Sequence, residues 1–290
     1  GSTVGTADGL ARFSDRVEVV HQPNAGEAAT VRRGVEMVDT ELLAIVNADD
    51  PVLPGWLAAS VEALAADETL SATYPDWTVI GPDGDAVREV TVEEFDLTVM
   101  LSQHLCIPGP GAVLRKAHIP DASIRNAERG SSADFDLWLR LGLKGKAQRI
   151  PQTLACWRSH DEGTSLAGGN ARMARDKIGV VEAFFARDDI PQSIRALERQ
   201  ARSAAFFNAG LLGLRNSNVP SARLFAQSLI AKPVWPNDVL PSQRRSLPHM
   251  LYASTQPFSG RLHAWLSPLL PNRWRQRAVL AQRFGLDGDG

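Results

Sequence analysis

The stretch Leu42-Leu43-Ala44-Ile45-Val46-Asn47-Ala48-Asp49-Asp50 constrains this chain more than any other. An apolar run of this length suits a buried strand and is too short for an ordinary helix. It stops on an amide, a small residue and two adjacent acids. A strand that is apolar to its end and then presents acids carries them at its C-terminal edge, where open α/β sheets bind ligands. Adjacent carboxylates repel each other, so they favour places where a cation or water relieves the repulsion. A Mg²⁺ or Mn²⁺ ion shared with substrate phosphates suits such an oxygen-rich edge. On the acids alone, a solvated turn with Asp49 or Asp50 capping the next helix is the simpler account.

The surrounding pattern alternates strand and helix. Arg16 to Gln22 places Val17 and Val19 between polar residues, which predicts a strand. Pro23-Asn24-Ala25-Gly26 reads as a turn, and Glu27 to Val38 carries Ala28, Val31, Val35 and Val38 at helical spacing. After Asp50, a helix beginning near Pro54 carries Trp56, Leu57, Val61 and Leu64. Leu70 to Ile80 predicts another strand, followed by a hairpin-type turn at Pro82-Asp83-Gly84. This alternation predicts an α/β fold with a largely parallel sheet. A doubly wound sheet begins with a strand and crossover, whereas this chain opens in a loop before a helix. The first N-terminal strands are therefore expected to be missing.

From about Gly168 the pattern changes to helices without strands, over Met173 to Ala186, Ile194 to Leu214 and Pro220 to Ile230. We therefore expect an α/β domain over residues 1–168 and an all-helical C-terminal extension over 169–290. A net charge of −2 argues against general nucleic-acid binding. Cys106 and Cys156 form neither a disulfide framework nor a spaced metal motif. They read as core thiols in a reducing compartment. No apolar run reaches membrane-span length. Arg261 to Phe284 mixes tryptophan, leucine and arginine. It suits either a helix packed on the domain, the preferred reading, or a peripheral membrane contact.

Several segments together carry a family resemblance. Gly1-Ser2-Thr3-Val4-Gly5-Thr6, then Asn24-Ala25-Gly26 with Gly34, then Asn47-Ala48-Asp49-Asp50, occur in order. Ala133-Asp134-Phe135-Asp136-Leu137-Trp138-Leu139-Arg140 and Trp157-Arg158-Ser159-His160 follow. In this order and at these intervals, residues 1 to about 168 resemble a family 2 glycosyltransferase of GT-A fold. The resemblance implies an inverting transfer of a sugar from a nucleotide-diphosphate sugar to a hydroxyl of a carbohydrate or lipid-linked acceptor. It also implies a divalent metal (Mn²⁺ or Mg²⁺) and work in cell-surface polysaccharide or glycan synthesis. The protein would then sit in the cytoplasm, or peripherally on the inner face of the membrane. The oligomeric state stays open.

Residue by residue, the resemblance makes Asp134 the general base, at a helix start with a serine before it as N-cap. It makes Asp49 and His160 metal ligands, Asn24, Gly26 and Asn47 donor-binding residues, and Arg158 a support near the phosphates. Asp136 and Asp50 read as structural, with Asp50 orienting its loop or capping the next helix. Leu105 to Ala112 is a breaker-rich loop that reads as a border of the donor and acceptor sites or as a plain connection. Asn47 and Ala133 stand where the family carries acids. These departures favour a rival, a sugar-nucleotide-binding module without transfer. A metal-dependent phosphate-ester hydrolase using Asp49 and His160 is another, and an interaction scaffold built on the second half is a third.

Overall fold

The computed structural model describes residues 5–119, 124–159, 170–212 and 219–232. The strands are β1 (Leu42–Ala44), β2 (Leu70–Ile80), β3 (Ala86–Val90), β4 (Val113–Arg115) and β5 (Lys146–Arg158). The helices are α1 (Thr6–Ala11), α2 (Glu27–Met37), α3 (Trp56–Ala66), α4 (Leu97–Gln103), α5 (Ala133–Gly142), α6 (Asn170–Phe185), α7 (Gln192–Arg195), α8 (Glu198–Leu212) and α9 (Ser221–Ala231). The α/β class and the helical C-terminal region are both as expected.

The sheet is mixed. Its longest pairing, β2 with β5, is parallel and runs from Leu70 opposite Lys146 to Ile80 opposite Arg158. The other edge of β2 is shared by two antiparallel partners. β4 pairs at Ala72 and Thr73, and the β3 hairpin pairs from Trp77 to Ile80. β1 then pairs antiparallel with β4. The β2–β3 turn closes through the N–H of Gly81 donating to Asp85 O at 2.8 Å, with Gly84 at φ 94°.

The segment after Asp50 positions the edge that carries the acids. The N–H of Leu53 donates to Leu154 O at 2.9 Å, and the N–H of Cys156 donates to Pro51 O at 2.8 Å. Val52 bridges antiparallel to Ala155. The far edge of β5 is thus covered by 51–53, and the chain from β1 is led to the C-terminal end of β5. There it meets the ends of β2 and β5 together.

Two expectations are corrected. Residues 18–26 form no strand, and Val17 is 48 % exposed. Alternation marks a face, but a strand needs a partner edge, and none among the described residues reaches these residues. β1 ends at Ala44, so Ile45 and Val46 already belong to the loop, with Val46 exposed.

One hydrophobic cluster crosses the expected boundary at residue 168. It joins Leu43, Ala72 and Tyr74 of the sheet with Phe135, Trp138 and Leu139 of α5. The same cluster takes in Val180, Val181 and Phe184 of α6 and Ala201 and Ala205 of α8. Tyr74 is fully buried, its ring edge-on to Trp138 at 6.3 Å. Because burial of this kind is cooperative, the helices of 170–212 and the sheet stabilise each other.

Candidate active site

The acids that end the central run have separate fates. Asp49 is exposed, whereas Asp50 is 6 % exposed. One Asp50 oxygen accepts from the Arg158 N–H at 2.8 Å, and the other accepts from the Asn47 amide at 2.8 Å. Asp50 therefore orients the loop, one of the two roles expected for it, and does not cap α3, whose N-cap is Gly55. The Asn47 amide relieves the carboxylate of Asp50, which a second acid at position 47 would repel.

Arg158 ties the edge together. Its Nε donates to Asp49 O at 3.1 Å, and Nη1 donates to Gly81 O at 2.9 Å and Pro82 O at 2.8 Å. A guanidinium with several donors in one plane can brace three chain segments in this way. The structure thus brings Asn47, Asp49, Asp50 and Arg158 to one point at the C-terminal sheet edge. His160 lies outside the described residues, as do Gly1 to Val4 and Arg261 to Phe284.

Asn24 and Gly26 stand at the entry of α2. Asn24 Oδ1 accepts from the Gly26 N–H at 3.0 Å, and Gly26 has φ 81°. An L side chain is disfavoured at that φ, so glycine is required. The next residue, Glu27, forms an ion pair with Arg125 Nη1. Nη2 of the same guanidinium lies 3.0 Å from Asp134 Oδ1. Arg125 therefore couples the entry of α2 to the candidate base. Arg125 is mostly buried, and the Asp134 side chain is 59 % exposed, open to an incoming hydroxyl.

Asp134 lies in the first turn of α5, as the sequence predicts. Ser132 is the N-cap residue but makes no side-chain cap bond. Much of the helix behind Asp134 is buried, including a pair inside the core: Arg140 Nε donates to Asp136 Oδ2 at 2.9 Å. That confirms a structural place for Asp136. The loop before α5 is held from α6, where Asp176 Oδ2 accepts from both the N–H and the hydroxyl of Ser131 at 2.9 Å.

The 105–112 loop lies between these two clusters. Gly111 has φ 79°, and a Cβ there would stand 2.7 Å from Ala155 Cβ. Gly111 O accepts from Trp56 Nε1 at 2.6 Å. At Gly109 a Cβ would stand 2.5 Å from Trp77 Nε1, so both glycines let backbone press onto the sheet. On the other side of the loop, Cys106 lies within electrostatic range of Asp134 and Lys177. Cys156 is buried as expected, whereas Cys106 is exposed beside the buried Ile107 and Pro108. His104, at the C-terminus of α4, is buried with its ring 4.7 Å from Phe135. Burial, with the Lys177 charge adding, pushes its pKa down to about 3. Burial also lowers the pKa of Lys177.

No group of three or more His, Cys, Asp or Glu among the described residues is placed to hold a metal ion. The edge offers an exposed carboxylate at Asp49 and a buried one at Asp50 that accepts from the Asn47 amide and the Arg158 N–H. Such a set fits a hard divalent ion only with substrate phosphates and further ligands completing the shell, as Mg²⁺ and Mn²⁺ often require.

Sequence reasoning missed Glu27, Arg125 and Asp176. Glu27 was legible as a first-turn acid, but its partner lies 98 residues away. Asp176 sits in a helix without a motif, and nothing local marks it.

Comparison with known proteins agrees with this geometry. The glycosyl transferase family 2 model matches residues 1–105. The crystal structure of residues 1–349 of S. aureus TarS has a TM-score of 0.56 at 12 % identity, covering 80 % of this chain and 69 % of that one. The same protein in complex with UDP-GlcNAc has a TM-score of 0.55 at 12 % identity, covering 79 % and 68 %. The mannosyltransferase PcManGT from Pyrobaculum calidifontis, in complex with GDP-Man and Mn²⁺, has a TM-score of 0.48 at 17 % identity, covering 80 % and 70 %. No curated protein matches the chain. The fold is that of the GT-A glycosyltransferases. The sequence match to the glycosyl transferase family 2 model covers residues 1–105, little more than a third of the 290-residue chain. No helix among the described residues is long and apolar enough to cross a membrane.

Proposed function

We propose that this protein transfers a sugar from a nucleotide-diphosphate sugar to a hydroxyl acceptor with inversion, and that Asp134 is the general base. One observation carries the reading. Arg125 joins an exposed carboxylate at the start of a rigid, buried helix to the loop–helix entry Asn24–Gly26 through Glu27. That couples a base to a donor-binding element. The base accepts the acceptor's proton as its oxygen attacks the anomeric carbon. Inversion follows when base and leaving diphosphate lie on opposite faces of that carbon.

The sheet edge serves the leaving group in this reading. Asn47 and the α2 entry contact the nucleoside and diphosphate, and Arg158 holds the loop that presents them. Asp49 and His160 would hold a Mn²⁺ or Mg²⁺ ion, which neutralises charge on the leaving diphosphate as a Lewis acid. A protein of this fold has been crystallised with UDP-GlcNAc, which supports a nucleotide-sugar donor. We assign the chemistry to residues 1–168 and a supporting wall to the helices that follow. A cytoplasmic enzyme of surface-polysaccharide or glycan synthesis, acting on carbohydrate or lipid-linked acceptors, fits this reading.

A binding module without transfer is the second reading. It is favoured by Asn47, whose amide is spent on Asp50, and by Ala133, which is buried and brings no charge. Multiple-turnover assays over a panel of nucleotide sugars and acceptors, with Mn²⁺, separate the two. Asp134→Asn should lower kcat by about 10²–10⁴ while donor affinity holds. Wild-type turnover in that variant removes Asp134 from the mechanism, and donor binding without turnover in the wild type supports the module.

A further inference from the structure

Asp176 lies in α6, beyond the segment matched by the family model and outside every motif in the sequence. Its Oδ2 takes both polar groups of Ser131, the backbone N–H and the hydroxyl, at 2.9 Å each. Just before Ser131, Gly130 has φ 49°, and a Cβ there would stand 2.4 Å from the same oxygen. The loop is therefore pressed directly onto this carboxylate. Gly130 supplies both the positive φ and the space that the contact needs.

The contact stands close to the base. Ser131 precedes Ser132, the N-cap of α5, and Asp134 lies in the first turn. The N-cap serine makes no side-chain cap bond, so the usual local device for fixing a helix start is not in use here. Asp176 supplies the fixing from another helix. It is itself held in place, because Val180, Val181 and Phe184 of α6 are buried in the core that also takes Phe135 and Leu139 of α5. The core sets the distance between the two helices, and the Asp176–Ser131 contact converts that distance into the position of the α5 entry. Arg125 then fixes the rotamer of the Asp134 carboxylate.

We propose that Asp176 is a positioning residue for sugar transfer, fixing the entry of α5 so that the Asp134 carboxylate meets the acceptor hydroxyl. This rests on the reading of Asp134 as the base. Misplacing a catalytic group by about 1 Å can cost about 10²-fold in rate. Loss of the clamp should therefore act on kcat and leave donor KM in place. A role in stability alone would move neither in preference to the other.

The test uses the full chain, with the donor and acceptor that the panel above turns over. Asp176→Ala should lower kcat roughly 10- to 100-fold, with donor KM changed less than about twofold and with faster hydrogen exchange at the Ser131 amide. Asp176→Asn keeps an oxygen that can accept both bonds, and should restore kcat to within about threefold of wild type. Leu64→Ala, a cavity in the separate cluster of Leu64, Leu70 and Val113, should lower Tm by a comparable amount or more with kcat nearly unchanged. The proposal is overturned if Asp176→Ala keeps wild-type kcat, if Asp176→Asn is as damaged as Asp176→Ala, or if Leu64→Ala loses the same kcat. Asp134→Asn separates the two levels. Full turnover there removes the base assignment itself, whereas an inactive Asp134→Asn beside a wild-type-like Asp176→Ala removes only the role of Asp176.

Discussion

The two clusters of the site are built in opposite ways. At the sheet edge, a buried carboxylate, Asp50, is used up by the backbone N–H of Arg158 and the amide of Asn47. The exposed acid, Asp49, is its immediate neighbour in sequence. At the entry of α5, the exposed acid is Asp134, held by an ion pair to Arg125, while the acid that fixes the backbone, Asp176, comes from a separate helix. In each cluster one carboxylate meets solvent and another holds the chain. Adjacent residues divide this labour at the edge, and residues in different helices divide it at the entry of α5. Acids of the same type thus differ in role through the donors that surround them, not through their own chemistry.

Replacing the holding acid of the edge should break this contrast most. Asp50→Ala leaves the Arg158 N–H and the Asn47 amide without their acceptor, and should cost about 2–4 kcal/mol of stability in urea denaturation. Asp49→Ala should cost less stability than Asp50→Ala, its side chain being exposed, yet weaken Mn²⁺-dependent donor binding. Equal stability losses in the two variants would erase the distinction between the acids.

The next effect is one of pH and probes the wall behind Asp134, where His104 packs on Phe135. Buried His104 has its pKa lowered from 6.5 to about 3. Above about pH 6.5 the ring is neutral in both folded and unfolded chains and contributes no pH dependence. Below it the unfolded chain takes up a proton that the folded chain refuses, so stability falls as pH falls and the loss levels off near pH 3. By pH 5 the cost should be about 2 kcal/mol. His104→Leu should flatten the stability profile between pH 6.5 and 5, and an unchanged slope would show that the ring does not carry it.

Arg125→Met should lower kcat by about tenfold, or about 1.4 kcal/mol of transition-state energy, by freeing the Asp134 rotamer. Donor binding should weaken too, because the tie to Glu27 at the α2 entry is lost. A change in donor KM alone would place Arg125 in the donor half only.

The smallest effect sharpens the edge. Asn47→Asp removes the donor to Asp50 and sets like charges side by side, which should cost about 1 kcal/mol, or a Tm lower by about 2–4 °C. Added Mn²⁺ should recover part of that loss if the edge takes a cation. Thermal melts with and without the metal read this directly.

What was legible in the sequence was local. The period of Val31 and Val35, the length of Leu70 to Ile80 and the turn at Pro82 to Gly84 all state their structure within a few residues. β5 escaped notice because Gln148, Arg149, Pro151 and Gln152 interrupt its apolar pattern, and several of these positions are exposed in the sheet. It is a strand because β2 lies beside it. The Arg16 to Gln22 alternation failed for the converse reason, having the pattern without the partner. At the site, the motifs located Asp49, Asp134 and Arg158, but the use of Arg158 as a brace depends on carbonyls at positions 81 and 82, which no spacing rule reveals. Asp176 lay beyond reach because its meaning is set only by the distance between two helices.

The link from Asp50 to Arg158 spans 108 residues, and this makes the edge a late product of folding. Contacts of long sequence separation close after local ones, since the chain must first lose the entropy of the intervening loop. The β2–β3 hairpin forms from neighbours, but the edge cannot close until β5 has docked beside β2. During synthesis at about 5–20 residues per second, Asp50 waits roughly 5–20 s for the amide that binds it. The acids tolerate that delay because they are soluble in an open loop. The apolar strand Leu70–Ile80 does not share that safety, since its β5 edge stays unpaired over the same interval. A nascent chain is thus most exposed to misassembly at β2, before the edge of Asn47, Asp50 and Arg158 exists at all.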